Sequence, residues 1–98
     1  FCINDQSGMG AFAAVTVAGS SAKIYGVDGA PDAKEAISQE NSVYAMTAAQ
    51  SPVKIGKECY AMALEILANG EPTEFQIDVP AFTIDKSNIE EYLNQDWQ

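Results

Sequence analysis

The sequence predicts an α/β fold whose sheet is mainly parallel, because short β-prone segments alternate with helix-length segments along the whole chain. Pro31 and Pro52 each follow turn or cap residues and mark two helix starts, since proline is well tolerated in the first turn of a helix. Residues 75–79 alternate apolar and polar side chains in the manner of a half-buried strand. The predicted order is strand and helix in alternation, four of each, joined by right-handed crossovers.

The chain is predicted to begin with a short apolar strand at residues 1–3 and a turn at residues 4–8. Residues 9–18 have helix length and are apolar on nearly every side, which predicts a buried helix. The next strand is predicted at residues 23–27, and the Asp-Gly pair that follows it predicts a turn.

The second predicted helix begins at Pro31 and has acidic residues near its start, which suits the helix dipole. Ala33, Ala36 and Ile37 give it a narrow apolar stripe. Residues 43–49 are the third predicted strand.

The strongest helical pattern begins after Ser51, a good N-cap, and ends at Gly70, a left-handed stop. After this helix and the strand at residues 75–79, Pro80 predicts an edge or a bend. Ser87 and Glu90 form a capping-box pattern that predicts a last helix. The apolar residues that share one face in these two helices are Ile55, Cys59, Met62, Ile66 and Leu67, and then Ile89, Tyr92, Leu93 and Trp97.

The composition excludes several classes of function. A formal net charge of −9 over 98 residues disfavours nucleic acid and anionic membrane surfaces as partners. The chain has no histidine, so neither Ser7 nor Ser51 has the usual activating base, and no cofactor or metal is expected. Cys2 and Cys59 lack metal-ligand spacing, and a disulfide between them stays open.

Targeting signals are not visible in the sequence. No apolar segment reaches the roughly 18 residues of a membrane span, and no basic segment precedes an apolar one as in a signal peptide. A chain that opens inside a predicted strand leads us to expect further sequence upstream.

Three predicted strands end in polar residues, Asn4, Asp28 and Gln50. Ligands of open parallel sheets bind outside the carboxyl ends of the strands. An aspartate accepts hydroxyl donors strongly, and the two amides both donate and accept, so the three residues suit a polyol. On the pattern alone, the simpler interpretation is that they are turn and cap residues.

Two further interpretations also rest on pattern. Gly8, Gly10 and Ala13 form a weak G-x-G-x-x-A dinucleotide fingerprint, with Asp28 as its acidic partner. Asp5 and Asp28 would form the acid/base pair of a small sugar-cleaving enzyme, although no feature of the sequence singles them out.

Three strings in a fixed order carry a family resemblance: FCIND at residues 1–5, YGVDGAPD at residues 25–32, and AAQSP at residues 48–52 followed by Gly56. They resemble the last third of sugar-binding proteins of the ribose-binding type, the type I solute-binding proteins of ABC transporters. The ligand domains of lactose-repressor-family regulators share that fold. The closing segment, residues 83–93, is more similar to the transport receptors than to the regulators.

The resemblance implies two α/β lobes with a sugar clamped between them. Residues 1–49 would be part of the C-terminal sugar-binding lobe. Residues 50–79 would supply a hinge crossing with a helix and a strand of the N-terminal lobe. Residues 80–98 would form the return crossing and a C-terminal helix.

The resemblance also implies that Asn4, Asp28 and Gln50 contact sugar hydroxyls. The implied function is capture of a monosaccharide and its delivery to a transporter permease, with no enzymatic activity, cofactor or nucleic-acid partner. The implied location is extracytoplasmic, either periplasmic or lipid-anchored at the cell surface. The alternative is the effector-binding domain of a lactose-repressor-family transcription regulator. A chain that carries only part of a two-lobed fold is also expected to self-associate through exposed apolar faces.

Overall fold

The computed structural model describes residues 1–98, and its order of helices and strands confirms the predicted α/β class. Five predicted elements are present with bounds that differ by no more than four residues: the helix predicted at residues 9–18, the two strands predicted at residues 23–27 and 43–49, and the two helices that begin at Pro31 and Pro52. The elements in chain order are α1 (Asp5–Val17), β1 (Ile24–Asp28), α2 (Pro31–Ser38), β2 (Tyr44–Ala49), α3 (Pro52–Asn69), β3 (Phe82–Asp85) and a 3-10 turn (Ile89–Glu91).

The sheet contains three strands in the order β1-β2-β3. β1 and β2 are parallel and are connected by α2, which is the β-α-β unit that the alternation predicts. β3 pairs with the other side of β2 in the antiparallel direction, with Ile84 opposite Thr47. The sheet is therefore mixed, with one parallel and one antiparallel pair.

The hydrophobic core lies between the sheet and α2. Ala33, Ala36 and Ile37 are at most 1% exposed, so the predicted apolar stripe of this helix is confirmed. The other core residues come from the three strands and the 3-10 turn, and they are Ile24, Tyr44, Ala49, Ile84 and Ile89.

Helix α1 is only partly buried, and the predicted buried helix at residues 9–18 is wrong in this respect. Met9, Phe12 and Val15 pack against the core, whereas Val17 is 89% exposed. The helix packs mainly against β1, β2 and α2, which cover only part of its surface. An apolar composition on every side leads to burial only when other elements surround the helix.

The predicted strand at residues 1–3 and the predicted turn at residues 4–8 are also wrong. Cys2 donates one backbone hydrogen bond to the Tyr25 carbonyl (2.8 Å), but Ile3 is 81% exposed and no ladder forms. Asn4 is the N-cap of α1, and its side-chain oxygen accepts a hydrogen bond from the Ser7 amide (2.9 Å). The polar residues therefore begin the helix instead of preceding it.

Helix α3 has the predicted ends. The Ser51 hydroxyl accepts a hydrogen bond from the Lys54 amide (3.2 Å), and Gly70 is left-handed with φ +85°. None of its residues is buried. None of the helices has the combination of length and hydropathy that crossing a membrane requires.

The segment after α3 is not a strand, so the prediction for residues 75–79 is wrong. Ile77 and Val79 instead line a cavity of about 290 Å³ together with apolar residues of α3. No strand lies beside this segment to complete a ladder, and the partner of β2 comes from β3, after Pro80. Alternation marks a two-faced segment, but a strand also needs a neighbouring strand to pair with.

The predicted last helix is reduced to the single 3-10 turn. Asn88 is bonded back to β3, because its side chain accepts from the Asp85 amide (2.9 Å) and donates to the Thr83 carbonyl (2.9 Å). The Ser87 hydroxyl donates to the Asp85 carboxylate (2.6 Å). This bond and a second one from the Ser87 backbone amide (2.8 Å) lower the pKa of Asp85. They also leave the Ser87 side chain unable to cap a helix.

Candidate ligand-binding site

Asp28 and Gln50 lie together at the carboxyl ends of the parallel strands β1 and β2. The side-chain amide of Gln50 donates to the Asp28 carboxylate (2.9 Å), and the Gln50 backbone amide donates to the Asp28 carbonyl (3.1 Å). The two residues are adjacent because the register places Asp28 beside Ala49, the residue before Gln50. The strand-end argument therefore predicts the proximity of these two side chains correctly.

The backbone at Asp28 is in an unusual conformation. Its φ is +118°, and that of the following Gly29 is +79°. Glycine adopts positive φ readily, but a residue with a Cβ does so at a cost, and such strained residues cluster at ligand sites. Strain of this kind persists only where the surrounding structure determines the conformation.

The side chain that fixes this loop is Asp5, which is 0% exposed. Its carboxylate accepts from the amides of Gly29 (2.9 Å) and Ala30 (2.8 Å), which directly follow Asp28. It also accepts from the hydroxyls of Tyr44 (2.8 Å) and Thr47 (2.9 Å) on β2. Burial, and then the bond to Asp5, raise the pKa of Tyr44. Asp5 therefore positions the loop that presents Asp28.

The acid/base pair of Asp5 and Asp28 is not supported by this arrangement. The Asp5 carboxylate already accepts four hydrogen bonds from the protein, three on Oδ2 and one on Oδ1. The side chain is also inaccessible to a substrate. Sequence reasoning missed the positioning role, because Asp5 looks like an ordinary acidic residue in the first turn of a helix and its partners lie at least 24 residues away.

Asn4 stands apart from the other two predicted site residues. Its side-chain oxygen caps α1, as the simpler interpretation of the sequence expects, and no hydrogen bond joins it to Asp28 or Gln50. The connection runs through the next residue, Asp5, which holds the loop after Asp28. The side-chain amide of Asn4 donates no hydrogen bond within the chain.

A cavity of about 410 Å³ opens beside the Asp28–Gln50 pair. Sequence reasoning missed one of its walls, Trp97, which it assigned to the apolar face of a last helix. Because that helix is only a single turn, the end of the chain runs back to the strand ends. The residues that line the cavity are Asp28, Gln50, Pro52, Ile55, Gly56 and Trp97.

The cavity combines hydrogen-bonding side chains with an aromatic ring. Asp28 offers a carboxylate acceptor, Gln50 offers an amide that donates and accepts, and Trp97 adds an apolar ring. No group of three or more potential metal ligands is brought together anywhere in the chain. A few polar groups on an otherwise apolar surface are typical of a small-molecule site.

Comparison with known proteins gives structural relatives only. No protein-family model matches the sequence, and no curated protein is found to be similar to it. Solved structures do match, and three of them are 28–35% identical to this chain.

An ABC transporter solute-binding protein from Mycobacterium smegmatis with bound glycerol is 28% identical, with a TM-score of 0.83 over 97% of this chain and 33% of that one. An ABC transporter solute-binding protein from Agrobacterium vitis with bound allitol is 29% identical, with a TM-score of 0.79 over 91% of this chain and 31% of that one. An ABC sugar transporter subunit from Rhodobacter sphaeroides is 35% identical, with a TM-score of 0.71 over 81% of this chain and 28% of that one.

The chain thus spans about a third of the length of these proteins. Its match with each of them covers at least 81% of its own residues at an identity of 28% or more. The resemblance to the solute-binding proteins of ABC transporters is therefore confirmed.

Proposed function

We propose that this chain contributes to the extracytoplasmic solute-binding component of a sugar ABC transporter, which captures a monosaccharide or a related polyol without altering it. The observation that carries the proposal is the hydrogen-bonded pair of Asp28 and Gln50 at the strand ends, beside an open cavity. The ligands of two structural relatives, glycerol and allitol, are polyols, and this supports the ligand class.

Each proposed ligand contact follows from the chemistry of its side chain. The Asp28 carboxylate accepts hydrogen bonds from ligand hydroxyls, and the charge strengthens them. Gln50 already donates to Asp28, so its side-chain oxygen is the group that it offers to a hydroxyl. Asn4 contributes its free amide from the cap of α1 once a ligand lies between the helix start and the strand ends.

We further propose that the chain is divided between two lobes. Residues 1–49 belong to the C-terminal sugar-binding lobe, residues 50–79 cross a hinge and join the N-terminal lobe, and residues 80–98 return to the first lobe. The absence of buried residues in α3 supports this division, because a helix with an apolar face is stable when another surface covers it. Closure of the lobes would complete the site around the ligand.

The partners follow from this role: a monosaccharide ligand and the permease of the transporter, with no nucleic acid. The location would be the periplasm or the cell surface. The alternative, the effector-binding domain of a lactose-repressor-family regulator, is not favoured, since the three relatives described above are all components of transporters.

The test is binding by the full-length protein to a panel of pentoses, hexoses and alditols. A ligand at a hundred times its Kd stabilises the folded state by about 2.7 kcal/mol, which a thermal-shift screen detects as several degrees. Calorimetry on Asp28→Asn should then show at least tenfold weaker binding of the ligand found, because a charge-assisted acceptor contributes roughly 1.5–3 kcal/mol.

The matched control is Glu35→Gln, which removes one negative charge from an exposed position of α2. It should leave the Kd unchanged. A folded protein that binds no member of the panel would overturn the proposed ligand class. Equal affinity of wild type and Asp28→Asn would remove Asp28 from the site.

A further inference from the structure

The last four residues of the chain are tied to the candidate site at two points. The first is Lys34 of α2, whose side chain is only 1% exposed. Its ammonium group donates to the carbonyls of Gln95 (2.6 Å) and Asp96 (3.2 Å) and to the side-chain oxygen of Gln98 (3.4 Å). An ammonium group has three N–H donors, so the tail accounts for all of them.

The second tie is Gln98, whose side-chain amide donates to the backbone carbonyls of Asp28 (3.2 Å) and Gln50. The same residue therefore binds Lys34 with its oxygen and both strand ends with its nitrogen. Trp97 lies between the two ties and forms a wall of the cavity. A buried lysine is costly unless its charge is satisfied, and here the backbone of the tail satisfies it.

Trp97 remains 43% exposed although the residues on either side of it are anchored. An indole held in place beside a carboxylate and an amide complements both kinds of surface that a sugar ring has, its hydroxyl groups and its C–H face. The hydroxyls of the ring need acceptors and donors, and its C–H face needs a flat apolar surface. An acyclic alditol offers hydroxyls but no rigid C–H face.

We propose that Trp97 is a specificity-determining residue of the site, on which the C–H face of a cyclic monosaccharide packs, and that Lys34 is the positioning residue that holds it there. This inference rests on the proposed sugar-binding function and names the form of the ligand. Asp28 and Gln50 recognise hydroxyls of any polyol, whereas Trp97 favours the ring over the open chain.

The experiment measures the Kd of one cyclic sugar and of its alditol by calorimetry on the full-length protein. Trp97→Ala should weaken binding of the cyclic sugar about tenfold while changing that of the alditol less than threefold. Trp97→Phe, which keeps an aromatic face, should retain most of the affinity. Tyr25→Ala removes an aromatic side chain of similar exposure (42%) outside the cavity and should change neither Kd.

A second readout reports on Trp97 directly. It is the only tryptophan of this chain, so the fluorescence of wild type minus that of Trp97→Phe isolates its signal. Saturating cyclic sugar should change this difference spectrum. Lys34→Met should weaken cyclic-sugar binding as Trp97→Ala does, and should have no further effect in the Trp97→Ala background, because it acts through the indole.

The outcomes separate this inference from the function on which it rests. Wild type that binds a sugar with no change of the Trp97 signal, and equally well after Trp97→Ala, would overturn the role of Trp97 and leave the proposed function standing. Wild type that binds no sugar or alditol would overturn both. Equal losses for the cyclic and the acyclic ligand in Trp97→Ala would overturn the ring preference.

Discussion

Helices α2 and α3 are both amphipathic, but they lie in opposite environments. α2 has 8 residues and buries four of them, whereas α3 has 18 residues and buries none. α2 belongs to what we call the packed unit, residues 1–49 and 81–98, which contains every core residue. α3 and the segment behind it form what we call the arm, residues 52–80, whose apolar side chains mostly face one another or solvent.

The arm accounts for the extended outline of the chain. The radius of gyration is 17.0 Å, compared with about 13 Å for a compact domain of this length, and the principal extents are 58 × 23 × 16 Å. An amphipathic pattern thus shows which face of a helix is apolar, but not which surface covers that face. The difference between the packed unit and the arm can be tested by matched substitutions.

The largest effect is expected from the buried carboxylate of the packed unit. Asp5→Ala leaves two hydroxyls and the Ala30 amide without their acceptor, whereas the Gly29 amide keeps its bond to the Thr47 hydroxyl (3.1 Å). Each unsatisfied buried group costs about 1–3 kcal/mol. We expect the free energy of unfolding to fall by at least about 3 kcal/mol, which is much of the stability of a small domain. Urea denaturation followed by circular dichroism measures it.

The control for this substitution is Asp78→Ala in the arm, where the carboxylate is exposed and accepts only from the Gln76 side chain. Its effect should stay within about 0.5 kcal/mol. A loss below about 1 kcal/mol for Asp5→Ala would contradict the role of Asp5 as the acceptor that holds the loop.

The next effect compares the apolar faces of α2 and α3 directly. Ile37 is 1% exposed and Ile66 is 41% exposed. Ile37→Ala should cost about 2–4 kcal/mol of unfolding free energy, because it leaves a cavity in the core. Ile66→Ala should cost less than about 0.5 kcal/mol in this chain, since it removes no buried contact.

The same pair of substitutions tests the proposed two-lobe arrangement. In a protein whose second lobe covers α3, Ile66→Ala should cost nearly as much as Ile37→Ala. A small cost for Ile66→Ala there would show that the face of α3 stays uncovered.

A smaller effect on the free energy of unfolding is expected when glycine is replaced by alanine, which adds one methyl group. A Cβ at Gly26 would overlap the Asp5 carboxylate and the Tyr44 hydroxyl, whereas a Cβ at Gly56 in the arm would meet nothing within 4 Å. Gly26→Ala should therefore cost about 1–3 kcal/mol, as overpacking does. Gly56→Ala should stabilise the chain by about 0.5–1 kcal/mol, because alanine favours the helix. Thermal unfolding of the two variants gives opposite shifts of Tm, and shifts of the same sign would contradict the comparison.

The sequence predicts well those helix ends that are marked by particular residues close by in the chain. Pro31, Ser51 and Gly70 mark helix ends by backbone chemistry within a few residues, and those ends are confirmed. The adjacency of Asp28 and Gln50 follows from parallel pairing alone, and it is confirmed as well.

What the sequence predicts poorly depends on contacts between distant residues. The alternation at residues 75–79 has no strand to pair with, and the helix expected after Ser87 competes with hydrogen bonds back to β3. Asp5 bonds to residues 24 and more positions away, and Lys34 bonds to a tail 61 positions away. Hydrophobic periodicity does not encode contacts between such distant residues. The side chains that hold the site in place could therefore not be predicted from the sequence.

The smallest effect on stability is expected from two carboxylates, Asp85 in the packed unit and Glu65 in the arm, which should respond alike. Hydrogen bonds from Ser87 lower the pKa of Asp85 from its ordinary 3.8, and hydrogen bonds from Thr73 lower the pKa of Glu65 from its ordinary 4.5. Both carboxylates therefore stabilise the folded state above their ordinary pKa values, and this contribution is lost as the pH falls through the lowered ones.

Ser87→Ala and Thr73→Val should each raise the pKa of the partner carboxylate towards its ordinary value, as NMR titration of the carboxyl carbons would show. Because solvent screens both groups, neither change should measurably affect the unfolding free energy at neutral pH. If the Asp85 pKa rises while the Glu65 pKa does not, the segment after α3 is not held against the helix, and the arm would then lack even the local order that it shares with the packed unit.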